Sequence, residues 1–294
     1  MNQRSSGSEA APGNALVLGG GGPVGASWTS ALLNGLRAAG VPLAESDVVM
    51  GTSAGSVVGA WLTIQPDGLA EVPALMRERA TWHAKNASAG RPDTQLFEAL
   101  VTDAEKGSAG AVGRAAMVAM PPISVDRAED LWQAMLPAGP WSPRLRMMSV
   151  NAGTGQARAW SASDGIPLAV GVACSTAAPG VAPPVTVDGG VWLDGGVRTG
   201  TNADLVVDLR AETAGARGSE PGRVLVVAPL AAQDLEREEA FLVERGYRVR
   251  VVVADPFYRA PVDLLDPRFI DVGATAGAEQ ARDLAPELLA WWKG

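Results

Sequence analysis

A serine among small residues, Ser53 in Gly51-Thr52-Ser53-Ala54-Gly55, is the first candidate for chemistry in this sequence. The pentapeptide has the G-x-S-x-G form of a nucleophile elbow and lies between a short apolar run and a stretch compatible with a helix, the context that an elbow requires. Gly51 and Gly55 would let the sharp turn approach neighbouring backbone. At a helix start, Ser53 could attack a carbonyl and the Ala54 N–H could stabilise the resulting oxyanion. An ordinary glycine-rich turn is the alternative interpretation.

A second glycine-rich segment, Gly20-Gly21-Gly22-Pro23-Val24-Gly25, fits the pattern G-x-G-x-x-G. A dinucleotide-binding loop of this form needs an acidic residue at the end of the next strand, but that strand leads directly into Gly51. As an oxyanion hole, the loop would offer the N–H groups of Gly20, Gly21 and Gly22 without side chains in the way. A flexible tight turn is the third interpretation.

The base for Ser53 must be found in a sequence with one histidine, His83. His83 lies in a charged helical stretch, which is typical of a solvent-facing residue. A Ser-His-Asp hydrolase of the usual chain order would place its histidine late in the sequence, where this chain has none. The base is therefore a carboxylate, a lysine or absent.

Two Asp-Gly-Gly triplets offer a carboxylate. Asp194-Gly195-Gly196 follows an apolar run, and its glycines would let the loop pack closely against the elbow. Asp188-Gly189-Gly190 lies between two short apolar runs, which favours a hairpin turn in which the aspartate serves turn geometry. Burial against apolar neighbours could raise the pKa of Asp194 and make it a better base.

Short apolar runs bounded by glycine and polar residues predict the elements that position these side chains. The expected strands span 15–18, 48–50, 145–150, 157–160, 185–187, 191–193, 205–209, 224–228 and 249–253. The expected helices include 24–40, 233–245 and 277–292, with a polar surface loop over 211–222. This pattern predicts a three-layer α/β/α domain with a mostly parallel central sheet. The domain would span 14–294, after a disordered leader at 1–13.

Residues 69–136 interrupt this pattern and predict a helical insertion directly after the elbow helix. The insertion carries adaptable apolar side chains that could cover the Ser53 cleft as a mobile lid. They are Met76, Trp82, Phe97, Met117, Met120 and Trp132.

Composition narrows the function further. The chain has 294 residues, 47% of them hydrophobic, and a net charge of −8 without a basic cluster, so nucleic-acid binding is not expected. One cysteine and one histidine provide no metal-ligand spacing. The N-terminus lacks the apolar stretch of a secretory signal, which predicts a cytoplasmic protein. The uncharged stretches at 48–66 and 165–187 are interrupted by glycine or proline and do not predict membrane spans.

Four ordered blocks together give a specific resemblance: the 20–25 glycine loop, the 51–55 elbow, Ala173-Cys174-Ser175-Thr176-Ala177-Ala178-Pro179 with Pro183, and Asp194-Gly195-Gly196. Over about residues 14–209 the chain resembles the patatin-like phospholipases. The resemblance implies a Ser53–Asp194 dyad, an oxyanion hole from the glycine loop, no metal or other cofactor, and hydrolysis of acyl esters in membrane lipids. Two positions depart from it: Val24 replaces a frequent basic residue, and Asn202 precedes Ala203 where the family often has proline.

The favoured hypothesis is thus a serine lipid acyl hydrolase whose partners are a lipid or other acyl ester and, transiently and through apolar contact, a membrane or micelle. Its acidic composition argues against tight electrostatic binding to anionic membranes. The alternative is a catalytically silent module that binds lipid or protein with the same fold. A dinucleotide-dependent oxidoreductase ranks third because the acidic residue is missing.

Overall fold

The structure, a computed structural model, describes residues 13–86, 109–213, 222–232 and 234–293, and of residues 82–86 and 210–213 it describes the backbone alone. The strands are β1 (Ala15–Leu18), β2 (Val48–Thr52), β3 (Leu145–Asn151), β4 (Ala157–Trp160), β5 (Val185–Val187), β6 (Gly190–Asp194), β7 (Arg223–Ala228) and β8 (Arg248–Val253). The α-helices are α1 (Gly22–Ala38), α2 (Ala54–Ile64), α3 (Val72–Asn86), α4 (Ala109–Ala119), α5 (Val125–Trp132), α6 (Leu168–Ser175), α7 (Val206–Thr213), α8 (Asp234–Glu244) and α9 (Ile270–Lys293).

A single mixed sheet forms the centre of the described fold. Strands β3, β2, β1, β7 and β8 are parallel neighbours in that order. Strand β4 pairs antiparallel with β3, and the β5–β6 hairpin joins β3 antiparallel through β6. The predicted mostly parallel sheet and both predicted hairpins are therefore confirmed.

Alternating residues of the central strands are buried on both faces of the sheet. In β1, Leu16 and Leu18 pack in a core formed with helices α1, α2 and α9, while Ala15 and Val17 pack in a second core with α7 and α8. Each strand thus needs apolar residues at successive positions, which explains its continuous aliphatic run. The three-layer α/β/α architecture is confirmed.

Helix α1 follows the predicted period. Val24, Trp28, Leu32 and Leu36 recur at every fourth position and are fully buried, and Gly40 ends the segment with a φ of 88°. A buried hydrogen bond from the Trp28 indole to Gln280 of α9, at 3.1 Å, ties this helix to the C-terminal helix.

The predicted strand at 205–209 is wrong, because this segment begins helix α7. Asn202 adopts the left-handed conformation, with φ 56° and ψ 28°, and the following turn leads into a helical path. Val206 and Leu209, three residues apart, then face the second core together, as a helix allows and a strand does not. Helix α7 also replaces the first residues of the predicted 211–222 loop, whose residues 214–221 lie outside the described ranges.

The described parts of the 69–136 insertion are helical, as expected, but its two ends belong to the main core. Leu69, Val72 and Met76 are buried at its start, and Ala128 and Trp132 near its end. Burial ties these two ends to the core, and the mobile lid over 69–136 stays a prediction. Phe97 lies outside the described residues, as does the side chain of Trp82.

No helix in the described ranges is long and apolar enough to cross a lipid bilayer. The cytoplasmic location stays a prediction. Residues 1–12 of the predicted leader lie outside the described residues.

Candidate active site

Ser53 occupies the sharp turn between β2 and α2. Its backbone has φ 53° and ψ −118°, a conformation that a residue with a side chain rarely adopts and that therefore stores strain. A Cβ atom at position 55 would lie 2.1 Å from the Leu18 carbonyl oxygen, and one at position 51 would lie 2.4 Å from the Gly55 oxygen. Both flanking positions therefore require glycine. Ser53 itself is partly exposed, whereas Thr52 and Ala54 on either side are buried.

Strand β3 brings Ser53 and Asp194 together. Thr52 at the end of β2 is paired with Met148, and Asp194 at the end of β6 is paired with the next residue, Ser149. Because β4 occupies the opposite edge of β3 along this stretch, β2 and β6 lie on the same edge and run toward each other. The two strand ends meet, and the residues at those ends become neighbours although they are far apart in sequence.

Asp194 is almost completely buried, with 4% of its surface exposed. Burial raises the pKa of its carboxyl group from 3.8 to about 6, because the charged form loses water. Interaction with the Ser53 side chain and a hydrogen bond from the Gly196 N–H, 2.7 Å from Oδ1, act in the opposite direction on the pKa. Gly195, the other glycine of the triplet, is buried against Met148.

The glycine-rich loop lies directly beside Ser53. A Cβ atom at Gly20 would be 3.3 Å from Ser53 Cβ. The Gly20 N–H donates to the Gly200 carbonyl at 2.9 Å, so it is engaged in this structure, and its role as an oxyanion donor stays a prediction. In the part of the chain that the structure describes, the N–H groups of Gly21, Gly22 and Ala54 have no hydrogen-bond partner.

The remaining glycine of this loop, Gly25, stabilises its shape. Its N–H donates to the Gly21 carbonyl at 2.7 Å, and its Cα faces Pro229 at the end of β7. Pro229 and Leu264, both from the C-terminal third of the chain, pack against the loop at Gly21 and Gly22 respectively. Residues that belong to no recognisable motif therefore pack against the glycine-rich loop that could stabilise an oxyanion.

Two residues to which sequence reasoning assigned no individual role contact the candidate pair, one residue each. The Ser53 N–H donates to Ser175 Oγ at 3.0 Å, and the Asp194 N–H donates to the Ala177 carbonyl at 3.1 Å. Both belong to the Ala173–Pro179 block at the end of α6. That block was visible as part of the family pattern, but its spacing alone does not say which groups it supports.

Asp188, the other aspartate considered as a base, lies outside this site. Asp188 forms the β5–β6 turn, is exposed, and faces Arg158 at 3.7 Å. The side chain of His83 lies outside the described residues. Among the described residues, no group of three or more His, Cys, Asp or Glu side chains could hold a metal ion.

Comparison with known proteins gives a family and similar solved structures. The model of the patatin-like phospholipase family matches residues 16–207, which include all four sequence blocks. The crystal structure of VipD from Legionella pneumophila is similar over 95% of this chain and 68% of its own, with 12% sequence identity and a TM-score of 0.40. No curated protein matches.

Proposed function

Because the chain belongs to the patatin-like phospholipase family, whose domains are typically lipid acyl hydrolases, we propose that it hydrolyses acyl esters of lipids with a Ser53–Asp194 dyad. One observation carries the proposal: the side chain of a strained, partly exposed serine interacts with a buried carboxyl group whose pKa is raised to about 6. A nucleophile and a base in direct contact are the minimum that acyl transfer needs.

In the first half of the reaction, Ser53 Oγ attacks the ester carbonyl carbon while its proton passes to the Asp194 carboxylate. The tetrahedral intermediate then collapses, Asp194 returns the proton to the departing alcohol, and the acyl group stays on Ser53. In the second half, water gives a proton to Asp194 and attacks the acyl-enzyme. The tetrahedral intermediate collapses, Asp194 returns the proton to Ser53 Oγ, and the fatty acid is released.

The raised pKa supports this use of an aspartate. An aspartate of ordinary pKa is a weak base at neutral pH, whereas a pKa of about 6 lies close to the working pH and still leaves the group mostly ionised. The proposal needs no histidine between the two residues, because the serine proton would pass directly to the carboxylate.

The oxyanion would be stabilised by the N–H groups of Gly21, Gly22 and Ala54. Each is free of partners in the described structure, and each lies at the N-terminus of a helix, α1 or α2, where the helix dipole favours negative charge. Gly20 would contribute by holding the loop against Gly200.

The substrate side of the proposal is a lipid that reaches the site from a membrane or micelle through a transient apolar contact. Helix α4 is a described part of the insertion, and its Ala116 packs with Val150 and Leu193 near the ends of β3 and β6. Val118 of the same helix is 87% exposed. We place the lipid contact at this helix.

The test is the substitution Ser53→Ala, with Ser163→Ala as a matched control on the surface. The first variant should lose ester hydrolysis by a factor on the order of 10⁴ or more, because the nucleophile is gone, while the control keeps its rate. Turnover is measured on phospholipids, glycerides and thioesters of several chain lengths. Near wild-type turnover in Ser53→Ala would contradict the proposal, and lipid binding without turnover by any variant would indicate a silent binding module instead.

A further inference from the structure

A buried carboxylate outside the residues of the family match, that of Glu238, binds a segment that contacts the candidate site. Glu238 of α8 is 2% exposed. Its Oε1 accepts a hydrogen bond from the Thr199 hydroxyl at 2.5 Å, and its Oε2 accepts one from the Thr201 hydroxyl and one from the Ala203 N–H at 3.2 Å. A buried carboxylate is tolerated only when its oxygens accept hydrogen bonds, as they do here. Glu238 therefore needs the donors of segment 199–203, and these donors need the carboxylate as their acceptor.

The hydrogen bonds within this segment have a fixed direction. The Asn202 N–H donates to Thr199 Oγ1 at 2.8 Å, which leaves the Thr199 hydroxyl hydrogen for Glu238. Asn202 is fully buried and left-handed, with φ 56°, a conformation that asparagine adopts more readily than most residues. The segment is therefore a defined loop closed around the Glu238 carboxylate.

This loop touches three parts of the candidate site. The Gly200 carbonyl accepts from Gly20 in the glycine-rich loop at 2.9 Å. The Asn202 amide donates to Thr52 Oγ1, next to Ser53, and to the Gly195 carbonyl, next to Asp194, each at 3.2 Å. The Thr52 hydroxyl in turn donates to the Thr201 carbonyl at 3.2 Å.

We propose that Glu238 is a positioning residue that sets the relative placement of Ser53, Asp194 and the glycine-rich loop through the 199–203 segment. This inference rests on the proposed function for its catalytic consequence. Glu238 lies behind these groups and does not touch the reacting atoms. It should therefore influence the rate of the chemical step more than the binding of substrate, since a displacement of about 1 Å in a catalytic group can cost about 10²-fold in rate.

The experiment compares Glu238→Ala and Glu238→Gln with Glu236→Gln, a change at an exposed position of the same helix. Glu238→Ala should lower kcat by about 10- to 100-fold with KM nearly unchanged. Glu238→Gln should retain more activity than Glu238→Ala, because the amide oxygen still accepts at least one of the three hydrogen bonds. The Glu236→Gln control should behave as wild type.

Hydrogen exchange gives a readout that does not depend on activity. In Glu238→Ala, peptides covering residues 19–25 and 198–204 should exchange faster than in wild type, while peptides from β7 and β8 should not. If Glu238→Ala does not fold, Thr201→Val, which removes one donor at nearly constant size, takes its place with the same expectations.

Unchanged kcat and unchanged exchange in a folded variant would overturn the positioning role. A wild-type protein without any ester hydrolysis would instead contradict the proposed function, and in that case the exchange data alone would decide whether Glu238 holds the loop.

Discussion

The two Asp-Gly-Gly triplets lie six residues apart and have opposite environments. Asp188 and Gly189 both have positive φ, 50° and 72°, and make the two-residue turn between β5 and β6. The Asp188 side chain is 54% exposed, whereas Asp194 is 4% exposed and interacts with the Ser53 side chain. The same three residue types thus serve a turn in one place and form the candidate base in the other.

Strand pairing makes the difference between the triplets. The first triplet joins two strands that pair with each other, so its aspartate projects from the end of a hairpin. The second begins where β6 meets the end of β2 on β3, so its aspartate is enclosed by the elbow and by the Ala173–Pro179 block. Burial, and not the triplet itself, gives Asp194 the pKa of a usable base.

The largest expected effect is on turnover. Asp194→Asn should lower kcat by about 10²- to 10⁴-fold, the usual contribution of a general base, while Asp188→Asn should leave it nearly unchanged. His83→Ala should also retain most activity, because the proposed dyad does not use an imidazole. Steady-state ester hydrolysis is measured for the three variants and compared with that of the wild type. Equal losses in both asparagine variants would remove the distinction between the triplets.

The second effect is on the pH profile. Because Asp194 must be ionised to accept the Ser53 proton, kcat/KM should fall about tenfold per pH unit below its pKa of about 6 and level off above it. The profile of the Asp188→Asn variant should overlay that of the wild type. An acidic limb near pH 4 would mean that Asp194 is not held in the buried environment described here.

The third effect is on stability: Asp194→Asn should stabilise the fold although it lowers activity. The pKa of Asp194 is about 6 in the folded state, against an ordinary value of 3.8 for an aspartate in water, so ionising this group costs about 3 kcal/mol of folding free energy above pH 6. Asp194→Asn should therefore raise the free energy of unfolding by up to about 3 kcal/mol at pH 8.

The same linkage fixes how that gain depends on pH. Below about pH 4 the aspartate is protonated in both the folded and the unfolded state, so the advantage of Asp194→Asn should fade there. Asp188→Asn should be nearly neutral at both values, since asparagine accepts the positive φ of the turn. Urea unfolding at pH 4 and pH 8 measures both differences. A destabilised Asp194→Asn variant at pH 8 would contradict the pKa assignment.

Most of the architecture could be predicted because burial on both faces of a parallel sheet leaves a continuous aliphatic run. The strand at 15–18 and both hairpins follow from such runs and from glycine turns. The run at 205–209 has the same composition, yet the left-handed Asn202 before it directs the chain into a helix. That backbone conformation depends on the buried contacts of Asn202, which no local pattern reveals.

The candidate site divides in the same way. Ser53 and Asp194 could be found because an elbow and a triplet constrain their immediate neighbours. Glu238 could not, because it lies in the acidic stretch Asp234–Glu244, where Glu236 and Glu239 look equivalent to it in sequence. Glu238 differs from these neighbours only because the orientation of helix α8 directs it toward the 199–203 segment. The hydrogen bond from the Gly20 N–H to the Gly200 carbonyl likewise joins residues far apart in the sequence, and no local pattern predicts it.

The most direct test of the Ser53–Asp194 dyad is the rate at which a fluorophosphonate probe labels the protein, with the modified residue located by peptide mass spectrometry. The dyad predicts a single modification at Ser53 in the wild type, an equal rate in Asp188→Asn, and a rate reduced by about 10²-fold or more in Asp194→Asn. Labelling at another serine, or an equal rate at Ser53 in both asparagine variants, would contradict a nucleophile activated by Asp194.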